Sequence, residues 1–309
     1  MKRRDVIFRS LPAAALTAVV GGNIGELLHG ITRGLSIGQP AARSLTPSPA
    51  AKTPVAFVIS DGAVVIDFAG PWEVFQDVSI PSRGATRAEQ APFELYTVSD
   101  TTAPVRASDG MMLVPNHTFA DAPAPKVVVI PAQNAASPTM LDWIRNTSRS
   151  ADVTMSVCTG AFVLAQTGLL DGKAATTHHN AYRQFAMQFG KVQLKRGARF
   201  VDEGTLASSG GLSSGIDLAL HVVERYFGHD VAQATADRME YQGRGWLDAN
   251  SNAEYAKPFE STPDHPKCLV CAMDVDARTA PTSTYQGVTY YFCIAAHKAT
   301  FDAAPAKWV

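Results

Sequence analysis

Three short apolar runs constrain this chain more than any other feature. Val55-Ala56-Phe57-Val58-Ile59 lies between Pro54 and Ser60-Asp61-Gly62, and Lys126-Val127-Val128-Val129-Ile130 stops at Pro131. The third, Asp152 to Val157, runs straight into Cys158. A run without polar alternation suits a strand covered on both faces, as in parallel sheets. Helical stretches lie between and after these runs. One starts at Cys158-Thr159-Gly160 and stops near Gly168, where glycine can take the left-handed cap conformation. A second runs from an Asn180 cap through Phe185 and Met187 to Gly190. A third spans Ile216 to Phe227, capped by Ser213 or Ser214 and ended by Gly228. Residues 200–206 read as a small hairpin around Gly204. Alternating strands and helices predict an α/β fold with a doubly wound, mostly parallel sheet, which binds ligands outside its strand carboxyl ends.

Composition narrows the function classes. The 309 residues carry a formal net charge of −1, so no general phosphate-binding surface is expected and nucleic acid is not a predicted partner. Apolar residues at 46% supply a substantial core. No apolar run reaches the ~18 residues of a spanning helix, so stable membrane insertion is not expected. The chain opens Met1-Lys2-Arg3-Arg4-Asp5 ahead of a short apolar stretch that Glu26 and His29 end. That layout reads as a secretory leader, and its adjacent arginines resemble the bacterial twin-arginine export signal. A short amphipathic helix is the alternative. The organisation expected is a leader over 1–34, a linker over 35–53, an α/β domain over 54–247, a linker over 248–265 and a small module over 266–309. Export to the periplasm follows if the leader acts as one.

The strand–Cys158–helix junction carries the chemistry. A residue at the tip of such a turn is lifted from the core, with the positive end of the next helix aimed at it. For a cysteine this favours the thiolate, the reactive form. The alternative is a small buried hydrophobe, which free cysteine often is.

Val157-Cys158-Thr159-Gly160-Ala161-Phe162, Gly168-Leu169-Leu170-Asp171-Gly172 and Ala175-Thr176-Thr177-His178 resemble the ThiJ/PfpI superfamily, part of the class I glutamine-amidotransferase-like fold. The likeness extends over Asp67 to Phe75, Ser108-Asp109-Gly110, Ser209-Gly210-Gly211, Ser214 to Asp217 and Met239-Glu240-Tyr241. The branch it resembles holds isonitrile hydratases and the amidase-like domains of AraC-type regulators. The resemblance implies a flavodoxin-like sheet with Cys158 as elbow nucleophile and Asp67 as the acid that hydrogen-bonds its sulfur. Thr159 follows the nucleophile, so its N–H is a natural oxyanion donor and its side chain can hold substrate or water. Where relatives commonly have two glycines, this chain has Ala132 and Gln133, which reshapes that half of an oxyanion site. No histidine follows Cys158 directly, so a Cys-His-Glu amidase triad is not expected. His178, at the end of the next strand, is either a base or a structural cap. Many relatives build their pocket across a dimer, which makes a homodimer an expectation by resemblance.

Cys268-Leu269-Val270-Cys271 and Cys293-Ile294-Ala295-Ala296-His297 place two thiols on a knuckle and a Cys and His one helical turn apart. Four such ligands suit tetrahedral metal binding. A module of about 44 residues is also marginal without a staple. Residues 268–276, 279–281, 285–287, 289–293 and 298–302 resemble the YHS domain, a small metal-associated module. His297 stands where that family usually has cysteine, and Ala272 replaces its usual glycine. Three sulfurs and a nitrogen suit zinc, with copper or iron as alternatives. A redox dithiol or disulfide is the other reading of the knuckle.

These readings predict an exported enzyme using a cysteine nucleophile on a small electrophilic substrate. By resemblance the reaction is hydration of an isonitrile to an N-substituted formamide, a lyase reaction that needs no cofactor at Cys158. The alternative is a non-enzymic cell-envelope protein that binds metal or senses oxidants.

Overall fold

The computed structural model describes residues 44–48, 51–134, 136–257 and 259–309. The leader read over 1–34, and much of the linker read over 35–53, lie outside the described residues. Strands β1 (Thr53–Val58), β2 (Phe93–Ser99), β3 (His117–Thr118), β4 (Val127–Ile130), β5 (Val153–Ser156), β6 (Phe200–Asp202) and β7 (Leu206–Ser209) form a seven-stranded sheet. Their order is β6-β7-β5-β4-β1-β2-β3, and every neighbouring pair is parallel except β6–β7. Val55, Val127 and Val153 sit side by side across β1, β4 and β5, where β-branched side chains pack well on a pleated surface.

The apolar runs divide by alternation. Val55, Phe57, Val127, Val129, Val153 and Met155 feed one core, with Phe68, Phe75, Leu218 and Val222. Ala56, Val58, Val128 and Ile130 feed the other, with Met140, Ile144, Leu164 and Phe185. Each fully buried large side chain contributes about 1.5–3 kcal/mol. Helices α1 (Val65–Asp77), α5 (Ser214–Phe227) and α6 (His229–Arg238) cover the first face. Helices α2 (Pro138–Thr147), α3 (Gly160–Gln166) and α4 (Tyr182–Gln188) cover the second. This is the doubly wound, mostly parallel architecture expected.

Local details differ from the sequence reading. Helix α1 runs through Pro71, which removes one helical N–H, because Phe68, Val74 and Phe75 bury against the sheet and outweigh it. Asn180 does not cap α4. His178 Nδ1 accepts the Asn180 N–H (3.2 Å) at a short 3-10 turn that leads into the helix. In the polar stretch after α6, Trp246 and Asn252 are buried while most of the other described residues are exposed.

The C-terminal residues form a hairpin of β8 (Thr282–Tyr285) and β9 (Val288–Tyr291), then helix α7 (Ala295–Asp302). Their core is Cys268, Leu269, Val270, Phe292, Phe301 and Trp308, with Met187 of α4 packed against it. The Arg183 guanidinium lies over the rings of Phe259 and Trp308, at 5.7 and 5.8 Å. All the described residues fall in one compact unit.

Candidate active site and metal centre

The chain leaves β1 toward β2 on one side and later returns to β4 on the other. The topological switch therefore falls between β1 and β4, where α/β sheets hold ligands at their carboxyl ends. Asp67 follows β1, Ala132 follows β4 and Cys158 follows β5, so one sheet edge gathers all three. Cys158 has φ 59°. That left-handed conformation costs a non-glycine residue about 1–2 kcal/mol and persists only where its surroundings impose it. Here the Cys158 N–H donates to the Gly210 carbonyl (3.0 Å), and its own carbonyl accepts from Thr177 Oγ1 (2.9 Å). Helix α3 can start this close to β4 only because residue 160 is glycine; a Cβ there would lie 2.2 Å from the Ile130 carbonyl oxygen.

Asp67 is completely buried in the first turn of α1. The Ala132 N–H donates to its Oδ2 (3.1 Å), and the Val64 N–H donates to the Ala132 carbonyl (2.8 Å), so α1 and the end of β4 hold the carboxyl reciprocally. Burial lifts the Asp67 carboxyl to about 7, against the hydrogen bond from the Ala132 N–H and the pull of the nearby Cys158 thiol and Leu212 N–H, while Oδ1 has no hydrogen-bond partner. Burial, with the Asp67 charge second, pushes the Cys158 thiol up to about 12, while the N–H groups of Thr159 and Leu212 pull it down. The two groups titrate as a pair. Below about pH 7 both hold protons. Above it the carboxyl gives up its proton first while the thiol keeps its own, and a thiolate arises where the thiol passes its proton to that carboxylate.

The other expected residues fall near this pair. The Thr159 N–H lies beside the sulfur and pulls the thiol down. Ala132 sits at the site, but its N–H is directed to Asp67, which gives it the work of holding the acid. Gln133 Oε1 accepts from Ser60 Oγ (2.8 Å), tying the β4 exit to the β1 exit. His178 packs on Gly211, where a Cβ would lie 2.0 Å from its ring, and it stacks on His179 at 4.4 Å. Burial lowers His178 to about 4, with His179 adding to the effect. With Nδ1 accepting from Asn180, the neutral ring carries its proton on Nε2. That tautomer caps the turn and has no free lone pair for a base.

Sequence reasoning missed Leu212. Its N–H faces both the Cys158 sulfur and the Asp67 carboxyl, and it reaches them from a left-handed φ of 51°. The pair Gly210-Gly211 signalled a tight approach, but the donor comes from the residue after it.

At the far end of the described chain, Cys268, Cys271, Cys293 and His297 bring four ligand atoms within 4.8 Å of one another. Cys271 and Cys293 sulfurs are 3.5 Å apart, and His297 Nδ1 lies 3.5 Å from Cys268 Sγ and 3.2 Å from Cys293 Sγ. A tetrahedron with Zn–S about 2.3 Å and Zn–N about 2.0–2.1 Å has edges of roughly 3.5–3.8 Å. The donor set therefore fits a metal ion. The Cys271 thiol holds Cys268 down at about 4, with nearby N–H groups helping, and the same contact pushes Cys271 up.

Fold and site together define a flavodoxin-like α/β protein with an elbow cysteine backed by a buried acid. The chain belongs to the DJ-1/PfpI family, whose model matches residues 53–225. It is similar to an isonitrile hydratase of Pseudomonas putida, 33% identical over 202 residues, covering 64% of this chain and 82% of that protein. It is also similar to the HTH-type transcriptional regulator CdhR of Pseudomonas aeruginosa, 28% identical over 59% of this chain and 53% of the regulator. The chain thus spans about half of that regulator's length. Among solved structures, a ThiJ/PfpI family protein from Pseudomonas syringae shares the fold with a TM-score of 0.55 and 24% identity, covering 63% of this chain and 78% of its own. Drosophila melanogaster DJ-1beta does so with a TM-score of 0.51 and 18% identity, covering 61% and 98%.

Proposed function

We propose that this chain is a lyase of the isonitrile hydratase type, with Cys158 as nucleophile and Asp67 as its proton carrier. The observation that carries the reading is the elbow cysteine at φ 59° beside a buried carboxyl held near 7. The Cys158 thiolate bonds to the terminal isonitrile carbon, and Asp67 gives that carbon its proton, leaving a thioimidate and a carboxylate. Water then adds to the thioimidate carbon and protonates the nitrogen. The carbon–sulfur bond breaks, returning the thiolate, while Asp67 recovers a proton as the N-substituted formamide leaves. Water is added overall and no redox step occurs. The N–H groups of Thr159 and Leu212 stabilise negative charge at the sulfur, each donor to such a charge being worth about 1.5–3 kcal/mol.

The proposal extends to the tail and the leader. Cys268, Cys271, Cys293 and His297 hold a metal ion, zinc by the donor set, which supplies a structural staple to a YHS-like module. Export through the leader would carry the chain already folded and metal-loaded. Purified protein is expected to convert small isonitriles to formamides, and Cys158→Ala to lose at least about 10³-fold in kcat/KM, as expected for removal of a covalent nucleophile. Equal turnover by the two proteins contradicts the proposal. No turnover combined with selective oxidation of Cys158 favours the oxidant-sensing alternative.

A further inference from the structure

We infer that Arg199 and Asp217 are positioning residues that, with Asn252 and Tyr241, hold the turn 210–214 against Cys158, so that the Gly210 carbonyl keeps the Cys158 N–H and the Leu212 N–H keeps its place beside the sulfur. The inference rests on the reading of Cys158 as nucleophile. Asp217, in the first turn of α5, is fully buried, and its Oδ2 accepts from Arg199 Nε (2.6 Å) and Tyr241 Oη (3.1 Å), with Arg199 Nη2 also in ion-pair contact at 2.5 Å. The same guanidinium reaches across the turn. Nη2 donates to Ser213 Oγ (3.0 Å) and Nη1 to Asn252 Oδ1 (3.2 Å), while Asn252 Nδ2 donates to Ser214 Oγ (3.5 Å).

The Arg199 backbone completes the clamp. Its carbonyl accepts the Gly210 N–H (2.9 Å), the Gly210 carbonyl accepts the Cys158 N–H (3.0 Å), and the Arg199 N–H donates to the Ala249 carbonyl (2.7 Å). On the other side His178 presses on Gly211, followed in one stack by His179 and Tyr255, the last ring 4.7 Å from His179. The turn is thus fixed at residue 210 by backbone, at 211 by a ring and at 213–214 by a buried ion network. Leu212 is left-handed with an exposed side chain, and its carbonyl accepts the Gly215 N–H (3.0 Å), which ties it to the start of α5. A planar guanidinium that binds three partners in fixed directions suits this task, and a lysine does not. Tyr241, Asn252 and Tyr255 lie beyond residues 53–225, so the segment after the family domain folds back to set the geometry of the domain's own site.

The test is the pH profile of Cys158 alkylation by iodoacetamide in the full-length protein, read by mass spectrometry at that residue. Asp217→Asn and Arg199→Lys are expected to slow alkylation at pH 7.5 by about tenfold and to move its acid limb up by about one pH unit, the order expected for weakening one hydrogen bond to a charged sulfur. Asn252→Ala, which leaves the buried ion pair in place, serves if either variant fails to fold and is expected to slow alkylation two- to three-fold. Asp202→Asn is the control. It breaks a separate buried network with His221 and Arg225 on α5, so it should lower Tm and leave the profile unchanged. A wild-type profile in folded Asp217→Asn, or in Asn252→Ala, overturns the inference alone. Absence of any thiolate limb in the unaltered protein overturns the nucleophile reading and this inference with it.

Discussion

Asp67→Asn is expected to unfold at a higher temperature than the unaltered protein at pH 8, while losing its turnover. The sign follows from the carboxyl. It lies at about 7 in the folded chain against an ordinary value of 3.8. The native state therefore binds that proton more tightly than the unfolded state does. Stability from this group is greatest below about pH 4, falls as pH rises and reaches its full penalty above about 7. A difference of about three pH units corresponds to roughly 4 kcal/mol as an upper limit. Asparagine carries no charge and its Oδ1 can still accept the Ala132 N–H. The gain expected at pH 8 is on the order of 2–4 kcal/mol, or about 5–10 °C in Tm for a unit of this size. At pH 5 it should shrink to less than half. A Tm difference that does not vary with pH would show that Asp67 is not a strained acid. Stability lost at a site in exchange for reactivity is a common arrangement in enzymes.

Removal of metal should have the largest structural effect. The C-terminal core has six buried side chains, three of them the cysteine-knuckle residues Cys268, Leu269 and Val270. Structural zinc contributes about 10–16 kcal/mol to small zinc-finger peptides, so with a metal held as proposed a core of this size would depend on its ligands. Stripping the ion with a strong chelator, or replacing Cys271 by serine, is expected to release the segment from Cys268 to the C-terminus to protease while the α/β body stays resistant. Trp308, buried at 4% exposure, should move into water and shift the tryptophan emission to the red. Trp308→Phe should abolish that shift. Full protease resistance and unchanged emission in protein shown to be metal-free would contradict a structural metal.

Much of the fold was legible in the sequence because parallel strands announce themselves. Val127 to Ile130 has no polar residue to place on a solvent face, so it could only be a strand covered on both sides. Helix α1 was not legible because Pro71 and the absence of a side-chain cap hide it, and only packing on the sheet makes it. Cys158 and the Cys268, Cys271, Cys293 and His297 cluster were readable by type and spacing. The Leu212 N–H was not, because a backbone donor carries no residue signature. Arg199 and Asn252 were equally silent: they are separated by 53 positions and meet only when the chain after α6 folds back. The same folding back brings Asn252, within the stretch read as a linker, against Arg199 and Ser214. His178 was readable as a residue but not as a role, since the Asn180 N–H on its Nδ1 decides between cap and base.

Cys158 and Asp67 are expected to act as one titrating pair. The most direct test is the rate of Cys158 alkylation across pH in the unaltered protein and in Asp67→Asn. The pair predicts a rate that rises through about pH 7 and then holds level toward about 12, and in Asp67→Asn a limb displaced to above about 9, where a buried thiol titrates alone. A single rise above pH 9 in both proteins would contradict it.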